Sequence, residues 1–410
     1  MGYAEELQLE NTYVMNTYAR KPVEFVGGKG MELVGDDGKT YLDFLSGIGV
    51  CCLGHCHPAL VEALSEQANK LIHVSNYYYI EGRGEVARKV SDMLNACVPS
   101  DEQAPWQSFF ANSGAEANEC AIKLARLYAR RRAEAAGAPV ARLIVTLERS
   151  FHGRTLATLA ATAQPSKQEA FQPLPDGFVR TPINDVAALE ALFAEQGDQI
   201  CAVMLECVQG ESGVHPCTGE FLQAVRRLTA EHGALMVCDE VQCGTYRCGT
   251  YPFAFQHYGV LPDVVTIAKG IASGMPMGMC AARAEVAAAY EKGDHGSTFG
   301  GSCLAVACAA ATLATIEREG LAENATKVGA YLREQLAQLP GVVEVRGLGL
   351  MVAADLDEAH AAPDVVARGL EAGLVLNSTG PHTLRFLPPL ICSPADVDVL
   401  IERLCGILAA

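Results

Sequence analysis

Four short runs in the middle of this chain are almost wholly apolar: Leu143-Ile-Val-Thr-Leu147, Ile200-Cys-Ala-Val-Met-Leu205, Leu235-Met-Val-Cys238 and Val264-Val-Thr-Ile267. A strand with one face in water alternates apolar and polar side chains, whereas a strand covered on both faces does not. These runs alternate with helix-patterned segments, the longest at 115–136, rich in Ala, Leu, Glu and Arg and stopped by Gly137 and Pro139. The pattern predicts an α/β fold: a mostly parallel sheet covered by helices. Such sheets bind ligands beyond the carboxyl ends of their strands. Polar residues stand at or just past the ends of the last three runs, namely Glu206, Asp239-Glu240 and Lys269, so they are expected to converge on one crevice.

Around this centre the chain divides into three expected parts. Residues 1–75 read as short strands (23–25, 31–34 and 40–44), with Gly35-Asp-Asp-Gly38 as a hairpin turn between the last two. Residues 76–305 form the large domain. Residues 306–410 add helices and a few strands, ending in an amphipathic helix near 395–408, and read as a smaller α/β domain that the N-terminal strands join.

Composition excludes several functions. Half of the 410 residues are hydrophobic and 19% are charged, so a large core is available and disorder is not expected. The formal charge of −17 repels phosphate backbones and anionic lipid, which makes nucleic acid and membranes poor partners. An anionic substrate would need specific arginines to hold it. Residues 1–10 carry Glu5, Glu6 and Glu10 and no apolar run, unlike a secretory signal. The uncharged stretch 296–316 has an apolar part shorter than the ~20 residues of a membrane span and reads as a loop followed by a buried helix.

Sixteen cysteines are scattered without an export signal. Several fall inside apolar strands (Cys201, Cys238) or small-residue helices (Cys303, Cys308), so reduced cytoplasmic thiols are expected. Cys52, His55, Cys56 and His57 lack a second half-site with zinc-like spacing, and Cys238, Cys243 and Cys248 are no better, so no metal is expected.

The chemistry is expected around Lys269. Alone it could be a lysine leaving a strand for solvent; in a dry pocket its amine would lose its proton more readily and become nucleophilic. Asp239, one strand–crossover–strand unit earlier, would end a neighbouring strand. Either the two form a salt bridge, or a pyridine ring lies between them, its protonated nitrogen on Asp239 and its aldehyde carbon on Lys269. The second arrangement is that of pyridoxal 5'-phosphate, whose nitrogen must stay protonated for the ring to act as an electron sink. Asn112-Ser-Gly-Ala-Glu116 opens the long helix and could cradle a phosphate on free amides. Gly296-Ser-Thr-Phe-Gly-Gly301 is a second hydroxyl-bearing loop before a helix. Phe151 could stack on a planar cofactor, and Arg154 could grip a carboxylate bidentately. The segment Leu205-Glu-Cys-Val-Gln-Gly-Glu211 is too polar for the core and too Gly-rich for a helix, so it is expected to be a loop.

These residues resemble class III pyridoxal-phosphate-dependent aminotransferases of fold type I. The resemblance runs through Asn16-Thr-Tyr-Ala-Arg20, Tyr41-Leu-Asp-Phe44, Leu53-Gly-His-Cys-His-Pro58, Phe110-Ala-Asn-Ser-Gly-Ala-Glu-Ala-Asn118, Phe151-His-Gly-Arg-Thr155, Cys238-Asp-Glu-Val-Gln-Cys-Gly244, Ala268-Lys-Gly270, His295-Gly-Ser-Thr298 and Arg385-Phe-Leu-Pro-Pro389. In wording the motifs look most like the branch of the family that acts on N2-acetylornithine. The resemblance implies that Lys269 carries the cofactor and shuttles a proton, that Asp239 pairs with the pyridine nitrogen, that Gln242 lies near the phenolic oxygen and that Phe151 covers the ring. It further implies that Ser113, Gly114 and Ala115 hold the phosphate, with Thr298 reaching across from a second subunit of a homodimer.

For substrates, Arg154 would take the α-carboxylate of N2-acetylornithine and the distal carboxylate of 2-oxoglutarate. Arg385 would take the latter's α-carboxylate and rest on Glu211 otherwise, and Ser297 adds to the substrate site. Ornithine, succinylornithine, succinyldiaminopimelate and 4-aminobutyrate fit the same resemblance as alternative donors. The chain departs from the family's usual Glu-Pro at Glu206-Cys207, and from its usual Gly-x-Gly-Arg-Thr-Gly at Gly244-Thr-Tyr-Arg-Cys-Gly249, where Tyr246 replaces a common glycine. Tyr77-Tyr78-Tyr79 is expected near the substrate entrance.

Overall fold

The computed structural model of the protein describes residues 2–409. After a helix at Tyr3–Tyr13 come three short strands, β1 (Phe25–Lys29), β2 (Glu32–Gly35) and β3 (Thr40–Asp43). The middle of the chain contributes β4 (Trp106–Ala111), β5 (Leu143–Leu147), β6 (Phe178–Thr181), β7 (Ile200–Leu205), a small hairpin of β8 (Val208–Gln209) and β9 (His215–Pro216), then β10 (Leu235–Asp239), β11 (Val264–Ile267) and β12 (Gly278–Arg283). The last part adds β13 (Val342–Leu348), β14 (Met351–Leu356), β15 (Leu374–Val375), β16 (Asn377–Ser378) and β17 (Thr383–Phe386) before a final helix, Pro394–Leu408.

Seven strands form the central sheet in the order β4-β12-β11-β10-β7-β5-β6. The neighbours from β11 through β6 are all parallel, and β12 alone runs against both of its neighbours. The four apolar runs are the four strands β5, β7, β10 and β11 of this sheet. Their successive residues bury on opposite faces: Ile144, Ala202, Leu235 and Val264 pack in one cluster with Ala121 and Leu124 of the helix Gly114–Ala136, while Val145, Val203, Met236 and Val265 pack in another with Phe221 and Val225 of the helix Gly219–His232. Both faces are dry, which is why the alternation of a half-exposed strand is missing.

A second sheet, β13-β14-β17-β16, is wholly antiparallel. The N-terminal strands do not stand apart from it. β3 pairs in parallel with β15, and Met31, Leu42, Phe44 and Leu53 share one apolar cluster with Leu332, Leu384, Phe386 and Leu404.

Several local expectations shift. β1 starts at Phe25 and continues through Gly27-Gly28, two glycines that read as breakers rather than strand. The helix Tyr3–Tyr13 buries no residue, so no apolar stripe advertises it. Pro58–Lys70 is also a helix, with Pro at its first turn and Leu60 and Leu64 packed one turn apart against the core, amid a segment read as strands. Residues 296–316 are a loop and then the helix Cys303–Arg318. No helix among the described residues is long and apolar enough to cross a membrane, and all sixteen thiols are free.

The two departures from the family wording are absorbed differently. Cys207 is fully buried with its Sγ 3.8 Å from that of Cys238. Tyr246 keeps the left-handed backbone that a glycine would adopt, at φ 61°, at a cost of about 1–2 kcal/mol, and its ring packs against both the central and the C-terminal cores.

One buried contact fixes the loop that carries Val50 to the ligand cavity. Asp43 accepts from the amides of Leu45 and Ser46 through Oδ1, both at 2.8 Å, and its Oδ2 meets His55 Nε2 at 2.8 Å. The bond to Asp43, helped by Cys51, lifts His55 to about 9. A raised histidine stabilises the fold fully below its unfolded value near 6.5 and loses that contribution as the pH climbs through about 9. Denaturant unfolding followed from pH 6 to 10 should therefore show the wild type losing ~1–2 kcal/mol more than His55→Gln; parallel curves would remove His55 as the cause.

Candidate active site

The register of the parallel strands brings the site together. Cys238 stands opposite Leu205, and Asp239 opposite Thr266, so β7, β10 and β11 end at nearly the same level. Glu206, Asp239 and Lys269 follow from those ends into one cavity of about 450 Å³. Ser113, Gly114, Ala115, Asn118, Phe151, His152, Arg154 and Gln242 line it as well.

Lys269 opens a tight turn with φ 48°, in the left-handed region that side-chain-bearing residues seldom adopt. Such strain persists where the surroundings over-determine it, commonly at functional sites. Its amine has no hydrogen-bond or ion-pair partner among the described residues. Burial pushes it below the ordinary lysine range and Arg385 adds to this, while Glu211, Asp239 and Glu206 oppose. The amine and the Asp239 carboxylate do not form a salt bridge.

Asp239 is instead held by other donors. Its Oδ2 accepts from His152 Nδ1 and from Asn118 Nδ2, both at 2.8 Å, and its Oδ1 from the Val241 amide at 3.0 Å. Neither Asn118 nor His152 stands out as a site residue in the sequence. The signal for Asn118 is an amide on the face of a helix otherwise buried through Ala117, Cys120 and Ala121.

At the helix start, Ser113 Oγ accepts from the Glu116 amide at 3.2 Å, and the Glu116 carboxylate reaches back to the Asn112 amide. The amides of Gly114 and Ala115 have no acceptor among the described residues, and both residues border the cavity. Those two orphan donors, at the positive end of a 23-residue helix, fit an anion. Close packing fixes the loop. A Cβ on Gly278 would run into the Ser113 backbone, and one on Gly114 would lie 2.7 Å from Val241 Cγ1. A phosphate cradle, a strand-end carboxylate and a desolvated amine around a cavity of this size fit pyridoxal phosphate.

The segment expected to be a loop too polar for the core is largely buried. Glu206 is 5% exposed and Gln209 fully enclosed, with Val208–Gln209 forming the β8/β9 hairpin. Its polar groups are satisfied internally: Glu206 accepts from the Phe151 and Gly210 amides at 2.8 and 3.1 Å, and Gln209 donates to the Glu148 carbonyl. Burial pushes the Glu206 carboxyl up to about 7, with Asp239 adding to it and His152 opposing.

The two arginines stand in opposite states. Arg385, on β17, is 2% exposed; it donates to Glu211 Oε1 at 2.6 Å, to Gln242 Oε1 at 3.1 Å, and to Asn377 Oδ1 on the adjacent strand β16 at 2.8 and 3.0 Å. Although burial works against its charge, Arg385 and Lys269 hold Glu211 down to about 2. Gln242 thus sits between the cavity and this ion pair. Arg154 is exposed and has no carboxylate partner among the described residues; its guanidinium lies 5.7 Å from the Phe151 ring centre.

Several expected contributors do not line the cavity of their own chain, Arg385 and Glu211 among them, which meet Gln242 at its edge. Ser297 Oγ is taken by Asn112 Nδ2 and the Gly300 amide at 3.2 and 3.0 Å, and Thr298 is exposed. Tyr77, Tyr78 and Tyr79 point into solvent, at 95%, 65% and 102% exposure, rather than to the entrance of this cavity.

The packing at Gly278 gives a direct test of the cradle. Gly278→Ala should push the Ser113 loop outward and weaken retention of pyridoxal phosphate by at least about tenfold, equivalent to ~1.4 kcal/mol, as read by equilibrium dialysis of the apoenzyme. Unchanged retention in a folded variant would place the phosphate elsewhere.

Comparison with known proteins agrees with this geometry. The sequence pattern described as "Aminotransferase class-III" matches residues 13–408. An acetylornithine aminotransferase of Caldanaerobacter subterraneus subsp. tengcongensis is 43% identical over 404 residues, covering 98% of each chain. The solved acetylornithine aminotransferase of Elizabethkingia anophelis superposes with a TM-score of 0.85 at 30% identity, covering 100% of this chain and 99% of that one. An ornithine aminotransferase structure from Toxoplasma gondii, with PLP at partial occupancy in its active site, superposes with a TM-score of 0.90 at 29% identity, covering 99% and 94%. With a strand-end lysine and aspartate around one cavity and likeness across nearly its whole length, this chain belongs to the class-III aminotransferase family.

Proposed function

We propose that the protein transfers the δ-amino group of N2-acetyl-L-ornithine to 2-oxoglutarate, giving N-acetylglutamate 5-semialdehyde and glutamate, as a step of arginine biosynthesis. The observation that carries the choice of donor is the charge pattern of the cavity. Arg154 borders the cavity with no carboxylate partner among the described residues, whereas the cavity's carboxyls, Glu206 and Asp239, are both engaged by protein groups, and Glu211 beyond Gln242 is held by Arg385. A donor that brings one carboxylate and an α-nitrogen made neutral by acylation suits that pattern. Free ornithine would bring an α-ammonium with no anion left to receive it, and an unpaired charge in such a site is costly.

Bound pyridoxal phosphate supplies an aldehyde carbon for the amine and a protonated ring that draws electrons from it. Ser113, Gly114 and Ala115 would hold its phosphate, Asp239 its ring nitrogen, Phe151 one ring face and Gln242 its phenolic oxygen. Lys269, whose amine burial holds below the ordinary lysine range, would hold the group by its aldehyde carbon and would carry the proton to and from the reacting carbon. Arg154 orients the donor by its α-carboxylate. When 2-oxoglutarate follows in ping-pong order, Arg154 takes the distal carboxylate, and Arg385, freed from Glu211, takes the other. Ser297, on the loop that carries Thr298, would border the substrate of a second copy rather than that of its own chain.

The proposed assembly is a homodimer. The apolar side chains of Ile72, Tyr77, Tyr79 and Phe299 are exposed, as at surfaces that meet a partner, and Thr298, next to Phe299 in the chain, would reach the phosphate site of a second copy. The free thiols support a cytoplasmic location. Within each copy, residues 76–305 would form the large domain and 306–410 the smaller one, with 1–75 adding to the smaller one and to the dimer contacts.

Purified protein should show a cofactor absorbance band that Lys269→Ala removes. In a panel of donors at fixed 2-oxoglutarate, N2-acetylornithine should give the highest kcat/KM, and a clear preference for free ornithine would overturn the assignment. Arg154→Ala should raise KM for both substrates, by ~10²-fold for a charged bidentate contact. Arg385→Ala should weaken mainly 2-oxoglutarate; equal effects of the two changes on the donor would end the two-arginine scheme.

A further inference from the structure

The turn between β8 and β9, residues 210–214, carries Glu211, and its backbone is held in an unfavourable shape. Val214, fully enclosed by the core, has φ 56°, an outlier for a β-branched side chain. Gly213 before it has φ 118°. Such a backbone persists only where its surroundings over-determine it. Two contacts from beyond the turn do so. Arg346 Nε, on β13, donates to the Gly213 carbonyl at 2.9 Å. His215 Nε2 meets the Ser212 carbonyl at 3.1 Å, and since a carbonyl only accepts, Nε2 carries the proton.

Arg346 is itself fixed. Its Nη1 and Nη2 grip the two carboxylate oxygens of Asp355, on β14, at 2.6 and 3.0 Å, a bidentate pair, and Nη1 lies 3.4 Å from Glu344 Oε1. Asp355 Oδ1 also accepts from Thr383 Oγ1 at 2.6 Å. Thr383 opens β17, the strand that carries Arg385. One guanidinium therefore joins the turn under Glu211 to the strand under Arg385, without lining the cavity itself.

A purely structural role explains only half of this. Bracing the second sheet asks for the pair with Asp355, which lies wholly within that sheet. The remaining donor, Nε, reaches out of the sheet to a turn whose one ionisable side chain is Glu211. That carboxylate accepts from Arg385 Nη1 at 2.6 Å and from Gln242 Nε2 at 3.2 Å.

We propose that Arg346 is a positioning residue for the acceptor half of the transfer: by pinning the turn at Gly213 it keeps the Glu211 carboxylate on Arg385, and so sets how readily a dicarboxylate displaces it. This rests on the two-arginine reading of the substrate clamp. Without the pin, Val214 can return to an extended backbone, and Glu211, three residues earlier, loses its aim. Arg385 stays in place through Asn377 on β16, a buried cation now short of its anion. A dicarboxylate then binds more tightly, whereas a donor whose single carboxylate goes to Arg154 gains nothing.

The test uses Arg346→Met, which keeps the aliphatic stem and loses every donor, and glutarate, a dicarboxylate of the length of 2-oxoglutarate that cannot react. Calorimetric titration of the holoenzyme with glutarate should show at least about threefold tighter binding in the variant than in wild type. KM for 2-oxoglutarate should fall in step, while KM for N2-acetylornithine stays within about twofold. Lost packing alone would weaken binding rather than tighten it for one substrate. Glu211→Gln should tighten glutarate by itself, and in that background Arg346→Met should add less than about 1.5-fold, because the two act as one unit. If the Met variant does not fold, Arg346→Lys, which keeps the charge but cannot span Asp355 and Gly213 together, takes its place. Unchanged or weaker glutarate binding in the folded variant, or full additivity with Glu211→Gln, would overturn the proposal. Failure of Glu211→Gln to tighten glutarate would instead overturn the two-arginine reading on which it stands.

Discussion

Three ionisable side chains, Glu206, Asp239 and Lys269, are carried out of the hydrophobic interior at the same edge of one parallel sheet, and the cost of desolvating them organises everything nearby. Each is either held by fixed partners or left without them. Glu206 has two backbone amides, Asp239 has an imidazole, an amide side chain and a backbone amide, and Lys269 has open space. The asymmetry matters. Had the amine met the carboxylate directly, each would have satisfied the other and the cavity between them would have closed. Because His152 and Asn118 satisfy Asp239 from behind, Lys269 is left without a direct ion pair, and burial makes its proton easier to remove in spite of the nearby carboxyls.

The sheet is also what made the site legible. An apolar run with no alternation can only be a strand buried on both faces, and the carboxyl ends of such strands converge wherever they are parallel. Lys269 and Asp239 could be placed together from that rule alone, before any coordinates. Arg385 and Glu211 could not: 174 residues separate them in the chain, and no periodicity links β17 to the hairpin after β7. Their pairing came from family resemblance. Asn118 and His152 were hidden for a different reason. Both sit within motifs whose neighbours draw the attention, and their contribution is a hydrogen bond to another side chain, which leaves no mark in spacing. The misread segment 206–211 shows the limit of polarity as a guide, because amides at strand ends can satisfy buried polar groups as water would.

The mismatch at the N-terminus has its own cause. The helix Tyr3–Tyr13 buries no residue, and Tyr13, Met15 and Tyr18 are among the most exposed large apolar side chains. A segment that finds no cover within its own chain carries no amphipathic pattern for that chain's core, so a reading based on burial passes over it. In the proposed homodimer, the same exposure would give these side chains a partner to bury against.

Arg385 brings these threads together, because its setting is not confined to the central sheet. Its backbone belongs to β17, hydrogen-bonded between β14 and β16 of the second sheet, and Asn377 grips it from the neighbouring strand; its guanidinium nonetheless ends on Glu211 and the Gly210 carbonyl, which follow β8. Arg154, by contrast, comes from the loop after β5 and has no tie to the second sheet. One arginine of the proposed substrate clamp is therefore positioned by the central sheet and the other by the C-terminal sheet. In a chain with a net charge of −17, the two cations that would hold a dianion in that proposed clamp are thus carried by different sheets. Tyr246, packed against both cores, and Arg247, whose guanidinium donates to the carbonyls of Leu350 and Pro388, tie the central and C-terminal parts together.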